Sequence, residues 1–431
     1  MAWDWESWLG SLGRFGVKLG LERMTCLLDR LGSPQQGIPV IHVAGTNGKG
    51  SVCAVLSEIL WRSGYRVGRY TSPHLVAWQE RIWVNGHPIG TTDWENSLAQ
   101  VAEVVQHYPP GVDLPTQFDV TTATAWVYFQ QQQVEVVVLE VGLGGRLDST
   151  NAAIDTQVAV ITSIGRDHWQ RLGDSLPAIA SEKAGIIKPG IPTVVAPQVP
   201  EVMTVLEQTA AYQGSRLLVA TPAVDQVASG EQRQIRWQDQ IYDLGLVGPV
   251  QQINMGVALT VVQVLRSLGW RIEEKAVREG LAQTHWPGRC QQREFNGTRI
   301  WLDGAHNQPA AVSLRQFVDQ RFGPQAVQWV VGILDTKDAE GILAALLRPG
   351  DRLCAVGIPD HASFDPLELV RMAHCHQPQL QHGTTLTSLD TFPHWLTGVR
   401  DPVVVCGSLY LIGHLLALAQ SAPTPAIAVT G

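Results

Sequence analysis

The sequence predicts an α/β fold in two parts: a larger N-terminal domain on a parallel sheet, residues 1–288, and a smaller C-terminal α/β domain, residues 289–431. Three observations lead there. Short apolar runs alternate with segments of helical period. Those runs are continuous rather than alternately polar, as strands are when a parallel sheet is covered on both faces. One polar stretch punctuated by proline and glycine, "THWPGRCQQREFNG", interrupts the alternation, which then starts afresh.

Taken in order, "IPVIHVAG" from Ile38 reads as the first buried strand, and Val52, Val55, Leu56, Ile59 and Leu60 repeat at helical spacing after it. The glycines between them therefore sit on a strand-to-helix turn. "YRVGRYTS", "VEVVVLEVG", "QVAVITSIG" and "IPTVVAP" supply further strands, with a helix near Ala178 to Lys183 that Asp174 or Ser175 caps. From Leu217 to Leu246 the pattern shortens ("QRQIRWQDQIYDL") and predicts a hairpin, before "MGVALTVVQVLRSLGW" restores a helix. Past the break come "TRIWLDGAHN", "VQWVVGIL", "DRLCAVGI" and "PVVVCGSLYLIG", while the tail "QSAPTPAIAVTG" has no period and is read as mobile.

With 45% hydrophobic and 16% charged residues, the 431-residue chain is a globular protein able to bury large cores. Its 31 basic and 39 acidic side chains, net −8, include no dense Lys/Arg run, which argues against a nucleic-acid surface and leaves room for a local anion pocket. Six scattered cysteines without a C-x-x-C pair imply neither a disulfide framework nor a zinc site. The acidic start "MAWDWESWLG" is unlike an export signal, and no apolar run reaches about 18 residues. A cytoplasmic protein without a membrane, acting on small molecules, is the expectation.

In "GTNGKGS", Gly45, Gly48 and Gly50 permit positive φ and let backbone N–H groups face an anion at the positive end of the next helix. Lys49 adds a point charge and Ser51 a hydroxyl for Mg2+. The spacing departs from the common G-x-x-x-x-G-K-[ST]: position 43 is Val, and Gly50 separates Lys49 from Ser51. Hard oxygen ligands for a triphosphate's metal arrive from the ends of neighbouring parallel strands. Ser72, Glu140 and His168 hold such places, Glu140 in the part of an acid closing an apolar strand. Each alone reads more simply as a loop or surface group; their joint occurrence favours metal binding. Lys183, taken alone, reads as a solvated lysine.

The ordered set "LGLERM", "HVAGTNGKGS", "TSPHL", "ERI", "LEVGLGGRLDSTN", "DHW", "SEKAGI", "PGR", "LDGAHN" and "GSLYLIG" runs from Leu19 to Gly413. It resembles the folylpolyglutamate synthase family, including its bifunctional dihydrofolate synthase members, which is related to the Mur ligases. The resemblance implies a P-loop domain and a Rossmann-like domain that enclose ATP, and an acyl phosphate that L-glutamate converts to an amide. It implies a monomer whose substrates are dihydropteroate or folates, L-glutamate and ATP, with Mg2+ and, as a further cation, K+.

Residue by residue, Gly48, Lys49, Gly50 and Ser51 would hold the phosphates, and Ser51, Ser72, Glu140 and His168 the metal. Lys183 matches a lysine that is carbamylated. Asn254, Arg289, Asp303 and His306, with Asn307 beside it, would meet ATP; Lys49, Lys183, His168 and Arg289 form the catalytic set. Thr116, Gln117, Phe118 and Asp119, with Leu147, Asp148 and Ser149, would line the pterin site, Phe118 offering a ring face and Asp119 or Asp148 a carboxylate. Asp119 stands where the family commonly has glutamate. Arg81 suits a substrate carboxylate, and His361, Ser363 and Ser408 the glutamate pocket. Hinge motion near Pro287 is expected to gate the reaction. Two other readings compete. A nucleotide-dependent switch would read guanine through N-K-x-D, and no Asn here precedes Lys. A cell-wall Mur ligase is less favoured by "LPTQFDVTTA" and by G-K-G-S.

Overall fold

A computed structural model of the chain describes residues 3–13, 20–226 and 233–421. Leu19 and the tail beyond 421 lie outside them. The chain divides into two compact units. The first contains residues up to 74, 78–246 and 250–286; the second takes 75–77, 247–249 and everything described from Pro287 on. The first unit thus ends at Trp286, ahead of the expected 288, and the two short excursions leave no trace in the sequence pattern.

The first unit is built on eight strands: β1 (Val40–Ala44), β2 (Val67–Tyr70), β3 (Ile82–Val84), β4 (His87–Pro88), β5 (Val136–Glu140), β6 (Thr156–Ile161), β7 (Thr193–Val195) and β8 (Leu217–Val219), in the order β4-β3-β2-β5-β1-β6-β7-β8. Strands β2 to β8 along that order pair in parallel, and β3 and β4 fold back antiparallel at one edge. Every residue of β1, β2 and β5 is buried, because both faces are covered. The helices Lys49–Arg62 and Gln251–Ser267 cover one face. On the other face the helices Glu22–Arg30, Thr91–Gln106 and Gln117–Gln131 bring Trp94, Trp126 and Phe129 into the core.

The hairpin expected between 217 and 246 is β10 (Gln234–Trp237) with β11 (Gln240–Asp243), joined by β9 (Val224–Gln226). Leu217–Val219 belongs instead to the main sheet as β8, a three-residue apolar strand that is only partly buried. Since the chain passes from β1 to β2 beyond β5, and β6 lies on the other side of β1, the strand order turns at β1. A crevice opens at such a point, at the C-terminal ends of the strands.

The second unit has six strands, β12 (Gln291–Phe295), β13 (Thr298–Leu302), β14 (Gln328–Val331), β15 (Arg352–Val356), β16 (His382–Leu386) and β17 (Val403–Cys406), ordered β12-β13-β17-β14-β15-β16 and parallel except for β12. Its helices include Gln308–Phe322 and Leu409–Ser421. No helix among the described residues is long and apolar enough to cross a membrane.

Asp351, at the foot of β15, ties this unit together. Its carboxylate accepts from Val327 N at 3.0 Å, Trp329 Nε1 at 3.0 Å, Arg348 N at 3.1 Å and Arg315 Nη1 at 3.1 Å. Both Asp351 and Arg315 are buried. Asp351→Ala strands a buried guanidinium and should cost about 3–5 kcal/mol of folding free energy in urea titrations; a loss below about 1 kcal/mol would mean that Asp319, the other partner of Arg315, suffices alone.

Candidate active site

Past β1 the chain turns through Gly45 to Gly48 into the helix Lys49–Arg62. Gly45 (φ 146°) and Gly48 (φ 94°) are left-handed. A Cβ at Gly45 would run into the Thr162 hydroxyl, and one at Gly48 into the Asn254 side-chain carbonyl. Gly50, against expectation, has no positive φ; it lies inside the helix, where Trp286 crowds it.

The loop after β6 clamps the turn from behind. Thr46 N and Asn47 N donate to Ser163 O at 2.9 and 3.2 Å, and the Thr46 hydroxyl accepts from Gly165 N and donates to Gly165 O, both at 3.1 Å. The helix start has no side-chain cap, so its first N–H groups and dipole are available to an anion. Lys49 Nζ donates back to Thr46 O at 3.2 Å and stands 4.0 Å from Glu140 Oε1.

Glu140 closes β5 beside Val43 of β1 and is only 4% exposed. Its Oε2 accepts from Ser72 N, two residues past β2, at 3.2 Å. The structure therefore brings Lys49, Ser72 and Glu140 together from three different strand ends. Ser51 is buried in the first turn of the helix, and Asn254 reaches Gly48 from the helix Gln251–Ser267. Asn254 Nδ2 bonds Gln251 at 2.9 Å, while its buried Oδ1 has no partner among the described residues.

His168 sits at φ 50° and donates its backbone N–H to Asp167 at 2.9 Å. Its ring is 45% exposed and lies 3.9 Å from the same, buried, carboxylate. Among the described residues no cluster of three or more His, Cys, Asp or Glu could hold an ion unaided. The expected donor set, one carboxylate, two serine hydroxyls and a histidine, has the chemistry that suits Mg2+, which takes few protein ligands and keeps phosphate oxygens and waters. It does not suit a four-ligand zinc site.

Lys183 is not a solvated lysine. The helix Leu176–Ala184, capped by Ser175 (Ala178 N donating at 3.3 Å), buries it to 5% exposure and aims Nζ at Gly45 O, 2.8 Å away. Burial, then the charge of Lys49, pushes its pKa down to about 7, against the pull of Asp167 and Asp148. A buried lysine with a lowered pKa thus touches the glycine turn.

The expected pterin groups are mostly occupied with the fold. Thr116 caps the helix Gln117–Gln131 in a reciprocal box with Asp119. Asp119, 1% exposed, accepts from Thr116 N and Oγ1, both at 2.8 Å, from Arg23 Nε at 3.3 Å and from Ser149 Oγ at 2.6 Å. Asp148 accepts from Leu143 N at 2.9 Å and Thr150 N at 3.0 Å, and burial raises its carboxyl above the usual range. Phe118 is buried against Tyr70, ring centroids 6.0 Å apart. The ring face expected at Phe118 thus packs in the core, and the carboxylate expected from Asp119 or Asp148 accepts from donors of the fold. Gln117 and Leu147 are half-exposed. Arg81, which reads equally well as a surface residue, is held: Nε donates to His74 Nδ1 at 2.9 Å and the guanidinium lies 4.5 Å from the Trp78 ring centroid.

Within the second unit, Asp303 follows β13 and accepts from Cys290 N and Ala305 N, both at 2.8 Å. Arg289 Nη1 donates to Gly288 O at 3.2 Å, His306 Nδ1 is 2.7 Å from Gly304 O, and Asn307 caps the helix Gln308–Phe322. His361 stacks on Tyr410 at 3.9 Å, and Ser408, 2% exposed, accepts from Tyr410 N at 3.1 Å, bringing those two candidates to one patch. Ser363 Oγ accepts from Ile358 N at 3.3 Å. Sequence reasoning missed Thr46, Asp167, Arg69 and Trp286. An arginine inside the apolar "RVGRYTS" was the readable signal for Arg69.

Residues 43–262 match the family model described as "Mur ligase middle domain", and residues 289–418 match "Dihydrofolate synthetase, C-terminal domain". The dihydrofolate synthase/folylpolyglutamate synthase of Bacillus subtilis is 36% identical over 80% of this chain and 82% of its own. The dihydrofolate synthetase of Saccharomyces cerevisiae is 34% identical over 94% of this chain and 99% of its own. The solved structure of Escherichia coli FolC in complex with DHPP and ADP is 31% identical, covers 97% of each chain and superposes with a TM-score of 0.82. With a glycine turn between β1 and its helix, an acid at the end of β5, and likeness spanning both units, the chain belongs to the dihydrofolate synthase/folylpolyglutamate synthase family of the Mur ligases.

Proposed function

We propose that the chain is an ATP-dependent ligase that joins L-glutamate to dihydropteroate and to the γ-carboxylate of folate glutamates through an acyl phosphate, releasing ADP and phosphate. The observation that supports this most is the convergence of Lys49, Glu140, Ser72 and Lys183 on one glycine turn. The relatives' names, and the ADP and DHPP held by the Escherichia coli protein, point to the substrates.

In the first step an acceptor carboxylate oxygen attacks the γ-phosphorus, and the bond to the bridging oxygen breaks to release ADP. In the second, the neutral amine of glutamate attacks the acyl carbon, the C–O bond to phosphate breaks, and the amine proton leaves to solvent or phosphate. No protein nucleophile is needed; positioning and charge neutralisation are. Two unit anions about 4 Å apart repel by about 4 kcal/mol at an effective dielectric of 20. Lys49 and the helix N-terminus oppose that repulsion. Mg2+ would be held by Ser51, Ser72 and Glu140 with His168 nearby, and supplies further neutralisation of the triphosphate when bound.

Gly48, Gly50 and Asn254 shape the phosphate cradle in this reading. Arg289, Asp303 and His306 are assigned to ATP, and His361, Ser363 and Ser408 to glutamate, on the resemblance. Gln117 and Leu147 touch the pteridine; Thr116, Phe118, Asp119, Asp148 and Ser149 support them from within, and Arg81 receives an acceptor carboxylate. The low pKa of Lys183 favours carbamylation: the free amine forms an N–C bond to CO2, a C=O electron pair moves to oxygen, and the amine proton goes to solvent. The anionic carbamate becomes an acceptor beside Gly45.

Labelled glutamate offered with ATP and Mg2+ should be incorporated with dihydropteroate and with tetrahydrofolate. Incorporation with a UDP-muramoyl acceptor alone would move the activity to cell-wall precursors, and ADP release without incorporation would overturn the ligase reading. Lys49→Ala and Glu140→Ala should each lower turnover by about 10²–10³-fold with the circular dichroism spectrum unchanged; near-normal rates would remove that residue from the scheme. Because the amine is free above about pH 7 rather than only near 10.5, activity at a low fixed CO2 concentration should fall as pH drops through 7 and rise again when bicarbonate is added. A 13C carbamate resonance should appear with 13C-bicarbonate and vanish in Lys183→Met; a Lys183→Met enzyme of full activity would exclude the role.

A further inference from the structure

Three side chains of the first unit that the reaction scheme does not use meet behind the phosphate turn. Arg69 lies in the middle of β2, 7% exposed, in a strand whose neighbours are apolar or glycine. Its guanidinium carbon is 4.3 Å from the ring centroid of Trp83 on β3 and 5.0 Å from that of Trp286. Nη1 donates to Ser57 Oγ, on the helix that begins at the turn, at 3.3 Å. Nε has no hydrogen-bond partner among the described residues. An arginine taken out of water with so few hydrogen bonds is costly, and the faces of two indoles are what offset the cost.

The Trp286 indole in turn fills the space over Gly50. A Cβ on Gly50 would meet Cζ2 at 2.7 Å and Cε2 and Nε1 at 3.0 Å. Since Gly50 has ordinary helical φ, backbone strain does not require a glycine there. The ring does. The departure from the common P-loop spacing, a glycine between Lys49 and Ser51, therefore has a steric cause in this chain.

We propose that Arg69 and Trp286 form a stacked brace that fixes Gly50, and through it the phosphate turn, so that both act as positioning residues for nucleotide binding. The proposal rests on the reading that this turn holds the nucleotide phosphates. Arg69 grips Trp286 through its ring and the helix Lys49–Arg62 through Ser57, so loss of its cation loosens the two elements that bracket Lys49 and Ser51. The charges of Glu58 and Glu140 act on the same guanidinium, which stays protonated at neutral pH even though burial lowers its pKa to about 10.

Calorimetric titration of the 431-residue chain with AMPPCP and Mg2+, together with kcat and the KM for glutamate, tests the brace. Arg69→Leu should weaken AMPPCP about fivefold to tenfold, with the glutamate KM within about twofold of the parent, and Arg69→Lys, which keeps a cation over the rings, should recover most of the loss. Gly50→Ala should weaken AMPPCP further. Adding Trp286→Phe, which keeps a ring for Arg69 and vacates the Cζ2 edge, should return affinity to that of Trp286→Phe alone. This cycle stands if Arg69→Leu fails to fold. Equal impairment of Gly50→Ala with and without Trp286→Phe overturns the proposal, as does an Arg69→Leu that shifts the AMPPCP and glutamate constants alike. Lys49→Ala separates the two readings: unchanged AMPPCP affinity means the phosphate assignment has failed, whereas weakened affinity beside a silent Arg69→Leu means that only the brace has.

Discussion

In the proposed chemistry negative charge has to be gathered at the end of β1 without driving itself apart, and much of the arrangement around that strand bears on it. Glu140 is buried there with Lys49 4.0 Å away. A buried ion pair adds little net stability, because desolvation offsets the attraction. The pair is better understood as charge held ready for the triphosphate and acceptor of the proposed chemistry. Lys183 belongs to the same balance: a second ammonium near Lys49 and out of water is unfavourable, so its proton is held loosely.

Geometry comes from the backbone. The turn is fastened to the loop after β6 by Thr46, Asn47 and Ser163, and to Lys183 through Gly45 O. Ser72 and Glu140 arrive from strands that flank β1 on one side, Asp167 and His168 from the connection after the strand on the other. Candidate site groups from distant parts of the sequence are thus placed by one feature, the reversal of strand order at β1.

Much of this was legible in the sequence. Continuous apolar runs marked β1, β5 and β6, the glycines marked the turn, and Glu140 stood out through its joint occurrence with Ser72 and His168 after successive strands. Lys183 was not, since burial depends on what packs over the helix Leu176–Ala184 and leaves no local mark. For Phe118, Asp119 and Asp148 the local pattern hides how far the side chains are engaged with the fold: an aromatic and two acids beside loops look like ligands for a substrate, and all three are buried. The T-x-x-D of Thr116 to Asp119 is a helix-capping pattern, though, and could have been read as one. The excursions at 75–77 and 247–249 follow from tertiary packing alone. Residue roles came from the family resemblance, which periodicity could not supply.

The main sheet also ends in an instructive way. At one edge β4 is the exposed pair His87–Pro88, and at the other β8 is three residues long with Val219 half in water. Proline offers no amide hydrogen, and three residues make a poor template for a foreign strand. A sheet whose interior strands are among the stickiest segments of the chain is thereby kept from lateral growth, so the valine-rich strands that cradle the site are not an aggregation hazard in the folded protein.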